Sequence, residues 1–350
     1  MGRVFIHNDS RWPLAIAMIT LWVCTMGAAH AQSTPLQQKL RNPTNVAPPG
    51  TERDQADQWL QEGRRLEESG LLREAIATWQ KALDRYQALG DVPAQGIVYT
   101  YLGEAYWATG QLTKAEDAFR RRLAIARDRG DQHGQIYALN SLGRVLLQRG
   151  GVQAAKTLFD EALNFALSTQ NRQGEAQSRD SLGLLAFFQR DYQKAADHYQ
   201  QSLRASRRAG DTVMEATTLN LLGQLYQTQV DGIEASKYYG LAVRLSRLNR
   251  DRANQLIAID GLVRIFNQRQ SYRQSLELLT ERLDIAQFRE NAPLELDTLQ
   301  KLAETYQLAG ETSAARQAYE AAIALAQALQ DTQREARLRL QLSNMEQSRR

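Results

Sequence analysis

The sequence repeats itself every forty residues. Asp91, Asp131, Asn171, Asp211, Asp251, Asn291 and Asp331 fall at that interval, and so do Leu102, Leu142, Leu182, Leu222, Leu262 and Leu302. A third column runs Gly63, Gly103, Gly143, Gly183 and Gly223, then gives way to Val263 and Ala303. A fourth runs Ala75, Ala115, Ala155, Ala195, Ala235, Ser275 and Ala315, with Trp79, Phe119, Phe159, Tyr199, Tyr239, Leu279 and Tyr319 four residues on. A gapless period over seven repeats restricts the chain to a stacked architecture, although 350 residues alone would suggest two or three globular domains.

Within a repeat the spacing is helical. Tyr99, Leu102 and Tyr106 recur at three and four, one stripe of a first helix that Gly110 ends. Ala115, Ala118, Phe119, Leu123 and Ala126 form the stripe of a second helix, and Gly130-Asp131 reads as its stop and the start of the next. Neither stripe is satisfied by the pair alone, so neighbouring repeats must stack to bury both. The Gly and Ala columns permit close helix approach, and the aromatic column fills the wedge between helices. Arg179 in place of Tyr, Leu or Ile, and Val263 and Ala303 in place of Gly, predict less regular packing in repeats four, six and seven. Only seven prolines and 7% aromatic residues suit an all-α chain.

These residues carry a resemblance. Tyr99-x2-Leu102-Gly103-x2-Tyr106 with Ala115-x3-Phe119 is similar to the tetratricopeptide repeat, as are Leu219-x2-Leu222-Gly223-x2-Tyr226 with Ala235-x3-Tyr239 and Leu299-x2-Leu302-Ala303-x2-Tyr306 with Ala315-x3-Tyr319. The repeat is longer than the usual 34 residues and lacks the usual proline after its second helix, where Arg127, Leu167, Arg207, Arg247, Gln287 and Gln327 stand. It therefore resembles the long-helix repeats of kinesin light chains. The resemblance implies a right-handed α-α superhelical solenoid of seven helix pairs over 52–91, 92–131, 132–171, 172–211, 212–251, 252–291 and 292–331. A capping helix and tail follow at 332–350, with Leu338, Leu342 and Met345 on one stripe.

The first residues differ in kind. Arg3 and Arg11 precede an uncharged run from Trp12 to Ala29, closed by Ala29-His30-Ala31 before Gln32. A basic start, an apolar middle and a small-x-small end read as a secretory signal peptide, 1–31, cleaved between Ala31 and Gln32. The alternative is an uncleaved anchor, since 18 apolar residues nearly span a bilayer. Residues 32–51, with Pro35, Pro43, Pro48 and Pro49, read as a disordered linker. The expected location is exported, periplasmic or extracellular, with membrane contact only through an uncleaved signal. Similar repeat proteins behind a signal occur in bacteria, cyanobacteria among them. Some carry a caspase-like domain after the repeats, which a chain ending at Arg350 is expected to lack.

By resemblance, ligands sit on a concave surface made by the first helices. The positions that face it are Leu60, Thr100, Asn140, Asp180, Asn220, Asp260 and Gln300, with Arg144, Gln224 and Arg264 four residues on and Tyr137 three before its column. Asn140-x2-Gly143 and Asn220-x2-Gly223 match the Asn-before-Leu-Gly pattern of long-repeat adaptors, where the carboxamide grips the backbone of an extended peptide. Arg144 and Arg264 would add a preference for acidic side chains. The plainer alternative is that these polar columns form a solvated face.

The remaining chemistry is sparse. One cysteine and four histidines leave no disulfide framework or Cys/His metal cage, so no cofactor and no metal are expected. His133 and His198 each stand alone, and no nucleophile elbow, phosphate loop or zinc motif is present. A net charge of +4 does not indicate nucleic acid, and Arg120-Arg121-Arg122 and Arg204-x2-Arg207-Arg208 read as solvated helix faces. The expected function is a non-catalytic scaffold that binds a peptide or protein segment in its groove. The alternative is a structural envelope protein acting through self-association.

Overall fold

The computed structural model describes residues 52–347, and the expected signal, cleavage point and linker lie outside them. Every element among the described residues is an α-helix. In chain order these are α1 Glu52–Glu68, α2 Leu72–Ala88, α3 Val92–Ala108, α4 Leu112–Asp128, α5 Gln132–Gln148, α6 Val152–Ser168, α7 Arg172–Phe188 and α8 Tyr192–Ala209. There follow α9 Thr212–Thr228, α10 Gly232–Asn249, α11 Arg252–Gln268, α12 Tyr272–Phe288, α13 Ala292–Leu308, α14 Thr312–Ala328 and α15 Thr332–Gln347. Odd-numbered helices are the first of each repeat and even-numbered ones the second. Consecutive pairs pack as in a tetratricopeptide solenoid. Two compact bodies contain them: Tyr99–Ala209, and 52–98 together with 210–347.

The Asp/Asn column caps the first helices. Asp131, Asn171, Asp211, Asp251 and Asn291 each accept a hydrogen bond from the backbone N–H three residues on. Asp91 and Asp331 do the same for Ala94 and Arg334, at 3.1 and 3.0 Å. The same residue also closes the helix before it. Asp131 N–H donates to Ala126 O at 2.9 Å and Gly130 N–H to Arg127 O at 3.1 Å, the paired bonds of a Schellman stop around a left-handed residue. One residue thus ends one helix and starts the next, which keeps the linkers short. A left-handed residue recurs every twenty positions from Gly70 to Gln330, and half of these are not glycine: Gln170, Arg190, Val230, Arg250, Gln270, Glu290 and Gln330.

The glycine and aromatic columns meet inside each of the first five pairs. In the Tyr99–Ala209 body a side chain on Gly103 would strike the Phe119 ring at 2.5 Å, one on Gly183 the Tyr199 ring at 2.5 Å, and one on Gly143 the Phe159 ring. In the other body Gly63 lies under Trp79, and Tyr239 is held between Gly223 and Gly261. All these rings are buried, as is the whole alanine column. The close approach the glycines of the column permit is therefore that of a ring from the same repeat, while Gly261 admits the ring of the repeat before it. Where Val263 takes the glycine's place, Leu279 takes the ring's, and both are buried. The volume is redistributed, and α11 and α12 keep the common length of 17 residues. Arg179, half-buried, donates to Glu175 at 2.9 Å and to Gln201. The looser packing expected is found in repeat six, where α11 and α12 approach each other less extensively than the paired helices of repeats one, three, four, five and seven, and not in repeat four, where α7 and α8 pack most extensively.

In the second body one contact departs from neighbour-only stacking. Asn291 Nδ2 donates to Glu68 O at 2.9 Å, joining the turn after α1 to the turn before α13 across 223 residues. Gly70, φ +78°, leaves room for it, since a Cβ there would lie 2.7 Å from Asn291 Oδ1. At the C-terminal end α15 buries Leu338 and Met345, with Leu342 partly buried, against α13 and α14.

Candidate functional site

In the Tyr99–Ala209 body the expected residues come together on α5 and α7. Asn140 is 0% exposed, and its Nδ2 donates to Ile136 O at 2.9 Å and Ser178 Oγ at 3.0 Å, while Oδ1 has no partner. The carboxamide is thus a staple to the next first helix with one acceptor unused, rather than a solvated side chain. Tyr137 donates its hydroxyl to Glu104 Oε1, and burial, with the adjacent carboxylate, pushes its pKa well up. Arg144 is buried too. Its guanidinium lies 5.1 Å from the centre of the Trp107 ring and its Nη2 donates to Ser141 Oγ at 3.3 Å. Glu104 sits beside it, so the free positive charge expected of Arg144 is offset by a buried carboxyl. Asp180 is buried near Tyr199, whose pKa rises through burial first and this carboxylate second.

In the second body Asn220 repeats the arrangement of Asn140. It is 0% exposed, its Nδ2 donates to Asn254 O and Oδ1 at 3.1 Å each, and its Oδ1 has no partner. Gln224 is half-buried. Arg264 is exposed, with Nη1 3.5 Å from Gln227 Oε1, and it alone of the two expected arginines presents its charge to solvent. Asp260 belongs to an ion network. Arg282, 4% exposed, reaches from α12 to Asp260 at 3.1 Å and Asp297 at 2.7 Å. Lys301 bridges the same two carboxylates at 2.9 and 2.8 Å, and Arg334 reaches Asp297 at 3.1 Å. Burial pushes the Asp297 carboxyl up, but Lys301, Arg282 and Arg334 together hold it below its usual value. Asp297, Lys301 and Arg334 continue into a cleft of about 430 Å³ that Gln300, Glu304 and Arg337 also line.

The sequence matches the tetratricopeptide repeat family over residues 60–128, 134–208 and 173–247, more than half of the chain. This chain belongs to the tetratricopeptide repeat family. Such a fold is generally a non-catalytic scaffold for protein interaction. Among solved structures it is similar to a STAND signal-transduction ATPase with a tetratricopeptide repeat sensor from Pyrococcus horikoshii, with 15% identity and a TM-score of 0.53 over 95% of this chain and 55% of that one. It is similar to a Rap protein complexed with Competence and Sporulation Factor, with 13% identity and a TM-score of 0.51 over 85% and 98%. A third likeness is to kinesin light chain-like repeats of Podosopora anserina, with 16% identity and a TM-score of 0.43 over 57% and 98%. No curated protein matches the sequence. At these identities the solved structures speak for the fold.

Three polar residues of this tetratricopeptide repeat chain were not legible as site residues. Glu104 stands in the same column as Arg144 and Arg264 but is buried rather than facing water. Arg122 and Arg282 stand in a column of second-helix positions otherwise held by Ala82, Ala162, Ser202, Ala242 and Ala322, and a cation among small residues was the available signal. Arg120 and Arg121 do pair along an exposed face, with Glu116 and Asp117, but Arg122 is buried and donates to Asp131 at 2.6 Å. His133 contacts Asn171, with 3.2 Å between Nδ1 and Nδ2, and half-buried His198 has its pKa lowered by burial. Among the described residues no group of three His, Cys, Asp or Glu side chains is placed to hold a metal, and no helix is long and apolar enough to cross a membrane.

Proposed function

We propose that this protein is an exported scaffold that binds a peptide or extended protein segment along its first helices and does no chemistry on it. One observation carries the reading. Asn140 and Asn220 occupy the same register, are both fully buried, and are both left with an unpartnered carbonyl oxygen. A buried acceptor without a donor costs roughly 1–3 kcal/mol, so a fold that keeps two at equivalent positions is suited to receive backbone N–H groups from outside. Hydrogen bonds to main chain give affinity with little demand on sequence. The Rap likeness, a protein whose structure holds a bound factor, is consistent with such a use.

The test is capture of partners by the mature chain from its native cell envelope, compared with an Asn140→Ala, Asn220→Ala double variant of equal helicity. Loss of the captured protein in the variant supports the reading; undiminished capture sinks it. Export rests on the sequence of 1–31 and is tested by mass spectrometry of the protein from its source, which should begin at Gln32.

A second reading, self-association, is favoured by Leu248 and Phe288. They end α10 and α12 at equivalent positions and are 75% and 84% exposed. Large apolar side chains left in water on adjacent repeats suit a contact between copies. Light scattering should then give a mass above the monomer that Phe288→Glu reduces.

A further inference from the structure

Six buried polar atoms in the Tyr99–Ala209 body lack partners, and four belong to one strip of first helices: Glu104 Oε2, Asn140 Oδ1, Arg144 Nε and Gln177 Nε2. Asn140 enters the proposed function above; Glu104 does not, and its surroundings are unusual. The carboxyl is 5% exposed. Tyr137 donates to Oε1, and Ser141 and Arg144 lie close enough to stabilise its charge. Burial still outweighs them and leaves the pKa above the ordinary glutamate value. The reason is geometric. Arg144 spends its contacts on the Trp107 face and on a neutral hydroxyl, and does not grip the carboxylate with the two parallel bonds that would neutralise it. A buried carboxylate left short of a donor, next to two aromatic rings, is matched by a cation on an apolar stem.

We infer that Glu104 is a specificity-determining residue. Its free Oε2 accepts a hydrogen bond from the ammonium or guanidinium of a lysine or arginine in the bound segment, whose stem lies along Trp107 and Tyr137. Arg144 gives way by sliding on the Trp107 ring, which costs one long hydrogen bond to Ser141. The preference is therefore for a basic residue at this position, opposite to the acidic one that Arg144 alone suggests. Arg264, exposed in the other body, keeps the acidic preference there. The inference rests on the peptide-binding reading.

The probe is a random dodecapeptide library displayed on phage and selected on the full chain, with enriched peptides then synthesised and titrated by fluorescence anisotropy. Lysine or arginine should be enriched at one position, and replacing it with norleucine should weaken binding about tenfold or more, as for a hydrogen bond to a buried charge. In Glu104→Gln, of the same size, the lysine and norleucine peptides should bind alike while helicity and binding of the norleucine peptide persist. Enrichment of Asp or Glu at every charged position, or equal binding of the lysine and norleucine peptides to the natural protein, overturns the inference whether or not the variant folds. A lysine preference that survives Glu104→Gln overturns it as well. Failure to select any peptide removes the peptide-binding reading itself, and the subsite with it.

Discussion

Asn291 Nδ2 and Glu68 O stand 2.9 Å apart although 223 residues separate them. Asn291 holds two jobs, because its Oδ1 also caps α13 by accepting from Leu294 N–H at 2.9 Å. Its column is mostly aspartate, which caps equally well but has no donor. The other asparagine of the column, Asn171, also uses Nδ2 on a neighbour, the His133 ring. The choice of amide over acid thus marks the turns whose capping side chain also donates a hydrogen bond, whereas Asp91 and Asp131 accept a second one from an arginine.

Asn291→Asp should keep the cap and lose the donor. The expected cost is about 0.5–1.5 kcal/mol, the usual net value of one hydrogen bond. Hydrogen exchange should speed up at the turns after α1 and before α13 and stay unchanged in α5 to α8. Gly70→Ala should act on the same contact with a larger effect, adding the left-handed penalty of about 1–2 kcal/mol.

Gly143→Leu should overpack Phe159 and cost about 1–3 kcal/mol in thermal or denaturant unfolding. The sixth repeat supplies the remedy, since it carries Val263 and Leu279 in place of glycine and ring. Gly143→Val with Phe159→Leu should recover most of the stability that Gly143→Val loses alone. Additive losses in that cycle would show that ring and glycine do not share one space.

Val230 is β-branched, 90% exposed and held at φ +63°. Nothing buried is lost by removing its side chain. Val230→Gly should raise stability by roughly 0.5–1 kcal/mol, the left-handed penalty less the extra freedom glycine gains when unfolded. A lower melting temperature would contradict the strain.

Arg282 is the buried centre of the Asp260–Asp297 network. Arg282→Met should destabilise by about 3–5 kcal/mol, because two carboxylates lose their most buried cation. The pH dependence follows from Asp297, whose folded pKa is depressed. Its contribution is present above the unfolded carboxylate value of about 3.9 and disappears as pH falls through the lower folded value. Urea midpoints between neutral pH and pH 2 should therefore fall less steeply for Asp297→Asn than for the natural protein.

Most of the fold could be read from the columns. Gly143 and Phe159 act within one forty-residue repeat and Asp131 between two helices that adjoin in sequence, so their spacing alone implied cap, close approach and filling ring. The candidate site was legible only in its positions. Asn140 and Asn220 stand where the register puts them, yet both are buried, because Ser178 and Asn254 of the following repeat come down on them. Arg144 read as a free cation because Glu104, one repeat earlier, looked like one more solvated side chain.

The sequence by itself determined the repeat length, the helix boundaries, the caps and the matched glycine and ring, since all of these are relations between residues a few turns apart. The tertiary structure decided which polar positions stay in water, which cation meets which carboxylate, and that Asn291 reaches Glu68. Those outcomes depend on side chains of different repeats meeting, a relation that is written in no single column.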